Sequence, residues 1–305
     1  MASKKPLLIC VVGPTAIGKT SLAIKLAQEF STEIISADSR QFYKEMSIGT
    51  AVPSPSELAA IPHHFIHNIS ISQPYSVGDF ERECIQFLNQ FFKKRNVAIM
   101  VGGSGLYIDA VIKGLDNFPE IASETRKKLN KELNQNGIKV LQTELQLADP
   151  VYFEKVDQQN PHRLIRALEV FRATGKPYSS FLNKEGTKRE FETLFIGLTA
   201  ERDAVYSRIN QRVDQMVEAG LFEEAESLLP QKESNALQTV GYREAFDYFE
   251  GKISKEEAIS EIKKNTRRYA KRQITWFKKN EAIHWFNFQT DESTIVNFIK
   301  EKNAL

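Results

Sequence analysis

The chain has 305 residues, a formal net charge of +2, 41% hydrophobic and 26% charged residues. These are ordinary values for a soluble globular protein of one large or two smaller domains, and the whole-chain charge does not announce a nucleic-acid binder. Cys10 and Cys84 are too few for a disulfide framework or a cysteine-based zinc site, which fits a reducing compartment. The apolar run after the N-terminal lysines is too short to span a bilayer and leads into a glycine-rich loop, so it reads as a strand rather than a signal peptide; a cytoplasmic protein is expected.

Leu7–Val12 is a continuous apolar run rich in β-branched residues, as a buried parallel strand should be. The glycine-rich loop Gly13–Thr20 follows, then a helix through Leu22 and Leu26 to about Phe30. Glu33–Ser36 reads as a second strand ending just before Asp38. Val97–Val101 is another strand, entering the turn Gly102-Gly103-Ser104-Gly105, and Leu194–Leu198 is a further core strand. Strands alternating with helices predict an α/β fold with a mainly parallel sheet. Residues 116–190 are polar and helical in pattern: Ser123–Asn134 reads as a helix with a Ser cap, and Arg163–Thr174 as one ended by Gly175 and Pro177. The expected organisation is an α/β core of residues 1–115 and 191–305 with a helical insertion at 116–190. After Leu198 the chain reads as helical to about Phe277.

Gly13-Pro14-Thr15-Ala16-Ile17-Gly18-Lys19-Thr20 fits G-x-x-x-x-G-K-[ST], the P-loop. Its glycines let backbone N–H groups turn in around phosphate oxygens, Lys19 adds a positive charge, and the Thr20 hydroxyl is placed for Mg²⁺. The following helix points its N-terminal partial charge at the anion. P-loop NTPases usually carry an acid at the end of a neighbouring apolar strand. Here Val97–Val101 ends in two glycines, whereas Glu33–Ser36 leads to Asp38. An acid there faces the carboxyl edge of the sheet and could serve as a base on an acceptor, or could cap the next turn.

Glu261–Lys279 holds eight Lys or Arg against one acid. Lys264, Arg268 and Arg272 form a basic stripe at i, i+4, i+8, suited to a nucleic-acid backbone or to plain solvation. Ile262, Tyr269 and Trp276 recur every seven residues as a core-facing seam would. Arg208 and Arg212 share a helix face and could reach an anion or form surface ion pairs. His63, His64 and His67 lack carboxylate or Cys partners in a ligand pattern, so no metal is expected on them.

The residues Ile35-Ser36-Ala37-Asp38-Ser39-Arg40-Gln41-Phe42-Tyr43, with Ile48-Gly49-Thr50-Ala51 and the Gly-Pro-Thr-Ala form of the P-loop, resemble the tRNA dimethylallyltransferases. The likeness continues through Pro62-His63-His64, Tyr75–Phe80, Val101–Tyr107, Arg163–Val170, Gly241-Tyr242-Arg243-Glu244 and Thr266–Phe277, in order along nearly the whole chain. It implies a P-loop NTPase-like core that holds dimethylallyl diphosphate, with Mg²⁺, rather than ATP. It also implies transfer of the dimethylallyl group to the exocyclic amine of the adenosine 3′-adjacent to the anticodon, in tRNAs reading codons that begin with U. Asp38, Lys19, Thr20 and Ser104 would carry the chemistry, Ser104 standing where the family usually has Thr. The P-loop, with Arg212 or its neighbours Arg202 and Arg208, would grip the diphosphate. Asp38, Ser39, Arg40, Gln41 and Ser104 would meet the target nucleotide. Arg126, the run His162, Arg163, Leu164, Ile165 and Arg166, and the run Gln238, Thr239, Val240, Gly241, Tyr242 and Arg243 would contact the anticodon stem-loop. Gln238 departs from the Arg often found there. The zinc finger of some relatives is not expected, and a monomer is. Transfer to free adenosine phosphates, a small-molecule kinase and a non-enzymatic RNA-binding protein are the alternatives.

Overall fold

The computed structural model describes residues 5–182 and 186–303. The chain forms two compact units, Met1–Lys113 together with Lys188–Leu305, and Gly114–Thr187. The first unit holds a six-stranded sheet of β1 (Leu7–Val12), β2 (Ile34–Ser36), β3 (His63–His64), β4 (Val97–Val101), β5 (Glu192–Thr199) and β6 (Ile283–Asn287). Its order is β3-β2-β4-β1-β5-β6 and every adjacent pair is parallel. The apolar runs expected to be strands are all strands. β3 and β6 have no such run: β3 has two residues and β6 is an edge strand carrying His284 and a half-buried Trp285, so neither announces itself by pattern.

Four helices precede the second unit: α1 (Lys19–Glu29), α2 (Pro55–Ala60), α3 (Val77–Phe91) and α4 (Gly105–Lys113). The second unit is helical among its described residues, with α5 (Ser123–Asn136), α6 (Ile138–Ala148), α7 (Pro150–Phe153) and α8 (Pro161–Thr174). The first unit resumes with α9 (Arg202–Glu218), α10 (Leu221–Leu228), α11 (Tyr242–Phe249), α12 (Lys255–Phe277) and α13 (Glu292–Asn303).

β1 is apolar throughout because both of its faces are covered. Leu7, Ile9 and Val11 meet Leu22 and Leu26 of α1 and Ile295 and Ile299 of α13. Leu8, Cys10 and Val12 meet Phe80 and Leu88 of α3 and Ile108 of α4. A third cluster, including Val213, Leu221, Tyr242, Phe246 and Ile262, binds α9, α10, α11 and α12 together. The second unit has its own core of Leu129, Leu141, Leu145, Leu164, Ile165 and Leu168.

Two local expectations are corrected. Ser123 does not cap α5: Ala122 occupies the cap position without a side-chain bond, its carbonyl already accepts from Thr125 N–H, and Ser123 is the first helical residue. The seven-residue seam on α12 also fails at its end. Ala258, Ile262, Ala270, Gln273 and Phe277 are the buried side chains, while Trp276 is 41% exposed and donates its Nε1–H to Asp109 at 2.9 Å. A heptad drifts about 20° around a straight α-helix, so two heptads from Ile262 carry Trp276 off the buried face.

Candidate active site

The site is built where β1, β2 and β4 end at the carboxyl edge of the sheet. Gly13 leaves β1 at φ +142°, and a Cβ there would stand 2.6 Å from the Leu198 carbonyl oxygen at the end of β5. Gly18 caps α1 at φ 106°, and Ala16 takes a left-handed φ of 63° between them. The loop thus holds a shape that side-chain-bearing residues rarely adopt. Ile17 points into the core at 1% exposure and anchors it.

The Lys19 ammonium donates to the Pro14 carbonyl at 2.8 Å, so the loop closes on its own lysine. Burial, with the Arg212 guanidinium nearby, lowers the Lys19 pKa to about 7, against a pull the other way from Asp38. Arg208 donates Nε–H to the Ala16 carbonyl at 2.7 Å. Arg212 lies one helical turn further along α9; burial lowers its pKa, while the charges of Asp38 and Glu57 oppose that. Arg202 instead stacks on Tyr206 at 5.0 Å.

Asp38 is held by the close packing of two strand ends. Ala37 N–H donates to the Val101 carbonyl at 2.8 Å, and a Cβ on Gly102 would lie 2.5 Å from the Ala37 oxygen. The Asp38 Oδ1 accepts Arg40 N–H at 3.0 Å. One oxygen therefore caps the turn, and the residue also lines the central cavity. That cavity has a volume of about 330 Å³ and lies wholly within the first unit. Thr15, Ala16, Lys19, Thr20, Asp38, Ser39, Arg40, Gln41, Arg212, Gln238, Thr239, Val240, Gly241 and Arg243 all line it. Residues far apart in sequence are thus brought around one volume.

Several of the expected contact residues also tie the cavity wall together by hydrogen bonds. The Ser104 hydroxyl is engaged with the Asp38–Ser39 turn rather than lining the cavity: it accepts Ser39 N–H and donates to Ser39 Oγ, both at 3.2 Å. Tyr269, whose burial and proximity to Asp38 push its phenol up to about 12, also hydrogen-bonds Ser104. Arg40 donates to the carbonyls of Asn235 and Ala236 at 2.8 and 2.9 Å. Gln41 donates to the Thr50 and Ala51 carbonyls at 3.2 and 3.0 Å. Gln238 donates to the Lys232 carbonyl at 2.7 Å.

Tyr242 is a correction: it is fully buried, and its hydroxyl donates to Glu224 at 2.6 Å. Leu164 and Ile165 are a second, at 0% and 3% exposure in the core of the helical unit; α8 turns their side chains inward and leaves His162 and Arg163 exposed. In that unit Arg126 and Arg166 both pair with the buried Glu169 at 2.6 Å.

Glu224 has no distinguishing signal in the sequence, lying among Glu223, Ala225 and Glu226. In the fold its carboxylate accepts the N–H groups of Ser47, Ile48 and Gly49 at 2.9, 2.8 and 2.9 Å as well as the Tyr242 hydroxyl. It pins the Gly49–Ala51 rim of the cavity, and the Tyr242 ring occupies the space a Cβ on Gly49 would need. The basic stripe on α12 divides its work. Lys264 pairs with Glu261 at 2.7 Å, Arg268 donates to Asn265 at 3.2 Å, and Arg272 lines the cavity. His64 pairs with Glu33 at 2.6 Å, His63 meets the Ile61 carbonyl at 2.8 Å and His67 meets Ser47 at 3.3 Å. Among the described residues no helix is long and apolar enough to cross a membrane.

Residues 41–280 match the family described as IPP transferase. The chain belongs to the IPP transferase family. The chain is 58% identical over 295 residues to a tRNA dimethylallyltransferase of Christiangramia forsetii, spanning 97% of this chain and 98% of that one. It is 55% identical over 301 residues to a tRNA dimethylallyltransferase of Flavobacterium psychrophilum, spanning 97% and 98%. Among solved structures it resembles the full-length tRNA isopentenylpyrophosphate transferase from Bacillus halodurans, with a TM-score of 0.73, 38% identity and coverage of 98% and 97%. It also resembles a eukaryotic dimethylallyltransferase acting on tRNA, with a TM-score of 0.81, 27% identity and coverage of 97% and 80%. These likenesses set the small-molecule kinase reading aside.

Proposed function

We propose that this IPP transferase moves a dimethylallyl group from dimethylallyl diphosphate to a tRNA adenosine, the one 3′-adjacent to the anticodon in tRNAs that read codons beginning with U. The observation that carries the reading is the shared cavity. Lys19, Thr20 and Arg212, read as an anion grip, and the carboxylate residue Asp38 all line one cavity of about 330 Å³. The exocyclic nitrogen attacks the first carbon of the prenyl group, the carbon–oxygen bond breaks, and diphosphate leaves with the bonding electrons. The nitrogen then sheds one proton, which the Asp38 carboxylate accepts. Charge grows on the leaving diphosphate, so donors already aimed at it favour the transition state over the bound donor.

Thr20 is the residue that would hold Mg²⁺. Among the described residues no cluster of three acidic, His or Cys side chains could hold a metal alone. One hydroxyl suits an ion that keeps water and diphosphate oxygens for most of its octahedral shell. When bound, Mg²⁺ would supply further charge neutralisation on the diphosphate.

For the acceptor, the Asp38–Gln41 turn and the Gln238–Arg243 segment, less the buried Tyr242, surround the target base. Exposed His162 and Arg163 on the helical unit, with Arg126 and Arg166, meet the RNA backbone. Such contacts give affinity, while a base taken out of its stack gives specificity. Ser104 acts by holding the Ser39 turn. The residues that line the cavity all come from a single chain, which supports a monomer, and a tRNA substrate supports a cytoplasmic location.

The test is mass analysis of tRNA nucleosides after incubation with Mg²⁺ and dimethylallyl diphosphate, with AMP as a second acceptor. Prenylated adenosine should form in tRNA and not from AMP; no product on any tRNA reading a U-initial codon sinks the reading. Asp38→Ala should lower turnover by about 10²–10⁴-fold with tRNA affinity kept.

A further inference from the structure

α12 reaches the site through one buried amide. Gln273 is 5% exposed. Its Oε1 accepts Thr15 N–H at 2.8 Å, and its Nε2 donates to the Gly103 carbonyl at 3.0 Å. Thr15 belongs to the P-loop after β1, and Gly103 to the glycine turn after β4. A Cβ on Gly103 would stand 2.0 Å from the amide nitrogen, so it is the glycine that admits the amide.

From Gly103 the chain passes into Ser104, which holds Ser39 by two hydrogen bonds, and Ser39 follows Asp38. An unbroken path therefore joins the loop that grips the diphosphate to the loop that carries the base: Thr15, Gln273, Gly103, Ser104, Ser39. The chemistry of the path explains the residue type. It needs an acceptor for one backbone N–H and a donor for one backbone carbonyl on a single neutral side chain, and a carboxamide supplies both. A methionine would fill the same space and hold neither loop. The neighbouring residues Tyr269 and Arg272 line the cavity, so the helix that carries the amide also forms part of the wall.

We propose that Gln273 is a positioning residue that keeps the diphosphate-binding loop in register with the Asp38–Ser39 turn, so that the attacked carbon and the attacking amine meet in line. Misplacement by about 1 Å at a reacting centre can lower rate by about 10²-fold, and a side chain tying two loops acts on that coordinate. The statement about the amine rests on the prenyl-transfer reading; the statement about the diphosphate loop does not.

The test compares Gln273→Met and Gln273→Glu with the wild type. Calorimetric titration with inorganic diphosphate should show Kd raised at least tenfold in Gln273→Met. Prenylation of tRNA should show kcat lowered at least tenfold, while tRNA Kd stays within twofold. Gln273→Glu keeps an acceptor for Thr15 and loses the donor to Gly103, so it should fall between the two. Unchanged diphosphate Kd and unchanged kcat in folded Gln273→Met overturn the proposal. So does a lowered Tm with kcat and Kd per folded molecule unchanged, which is the mark of a purely structural residue. If Gln273→Met does not fold, Gln273→Glu carries the same comparison with the same two outcomes. A wild-type enzyme that binds diphosphate but leaves tRNA unmodified overturns the functional reading alone, because Gln273 is still judged on diphosphate affinity.

Discussion

Arginine is used in opposite ways in the helical unit and around the cavity of the first unit. In the helical unit the guanidiniums meet carboxylates: Arg126 and Arg166 share Glu169, and Arg172 lies between Glu132 and Glu144 at 2.7 and 2.5 Å. Around the cavity they meet neutral oxygens. Arg208 is held by the Ala16 carbonyl and Arg40 by the carbonyls of Asn235 and Ala236. A carboxylate cancels the charge of its partner; a carbonyl orients a guanidinium and leaves its net charge in place. The helical unit thereby gains geometrically fixed links in which opposite charges offset one another, two guanidiniums on one carboxylate and one guanidinium between two. The cavity keeps a positive potential for an anion that arrives later.

The contrast is most easily broken at Arg212. Arg212→Met should lower kcat/KM for dimethylallyl diphosphate by about 10²–10³-fold, the range for removing one donor aimed at developing negative charge. Steady-state kinetics at saturating tRNA would measure it. Thermal stability should hold or rise, because the substitution removes a buried charge that, among the described residues, meets Asp38 and Glu57 only through space. Unchanged kcat/KM would mean that the cavity arginines are structural after all.

The pH dependence of anion binding sharpens the same point. With its pKa lowered to about 7 in the free protein, Lys19 is mostly neutral above that pH. A bound anion favours the ammonium, so diphosphate binding should take up a proton, and affinity should fall as pH rises above about 7, by roughly tenfold for each pH unit. Calorimetry in two buffers of different ionisation enthalpy counts the protons. Lys19→Met should abolish the uptake that the ligand's own titration does not explain.

The smallest effect is expected at Glu169, whose side chain is 6% exposed while Arg126 and Arg166 remain 55% and 38% exposed. Because both guanidiniums can turn to water, Glu169→Gln should destabilise by only about 1–2 kcal/mol, less than for a fully buried pair. Urea unfolding would read this. Affinity for diphosphate should not change, and a change there would erase the distinction between the units.

The shape of the Gly13–Thr20 loop, the proposed anion grip, was legible because its chemistry is local. A P-loop draws its donors from consecutive backbone N–H groups, so Gly13–Thr20 could be recognised without knowing what surrounds it. Asp38 was legible for a similar reason, as an acid just past an apolar strand. Motif runs were a poorer guide. Leu164 and Ile165 sit within a run that resembles a contact segment, and Tyr242 within another, but periodic burial sends all three inward. Glu224 and Gln273 were not legible at all: a Glu among other acids and a Gln in a basic helix acquire meaning only from the backbone groups folded against them. The strand β6 was missed because an edge strand needs no unbroken apolar run.

By itself, then, the sequence determined the sheet's central strand, the loop that follows it, the acid beside it and, through the order of its motifs, the family. Tertiary structure decided which arginines meet carboxylates and which do not, which polar residues line the cavity and which face the core, and the lowered pKa of Lys19. Those properties depend on distance and burial among groups brought from separate parts of the chain. Desolvation and Coulomb interactions act through space, and no local pattern records them.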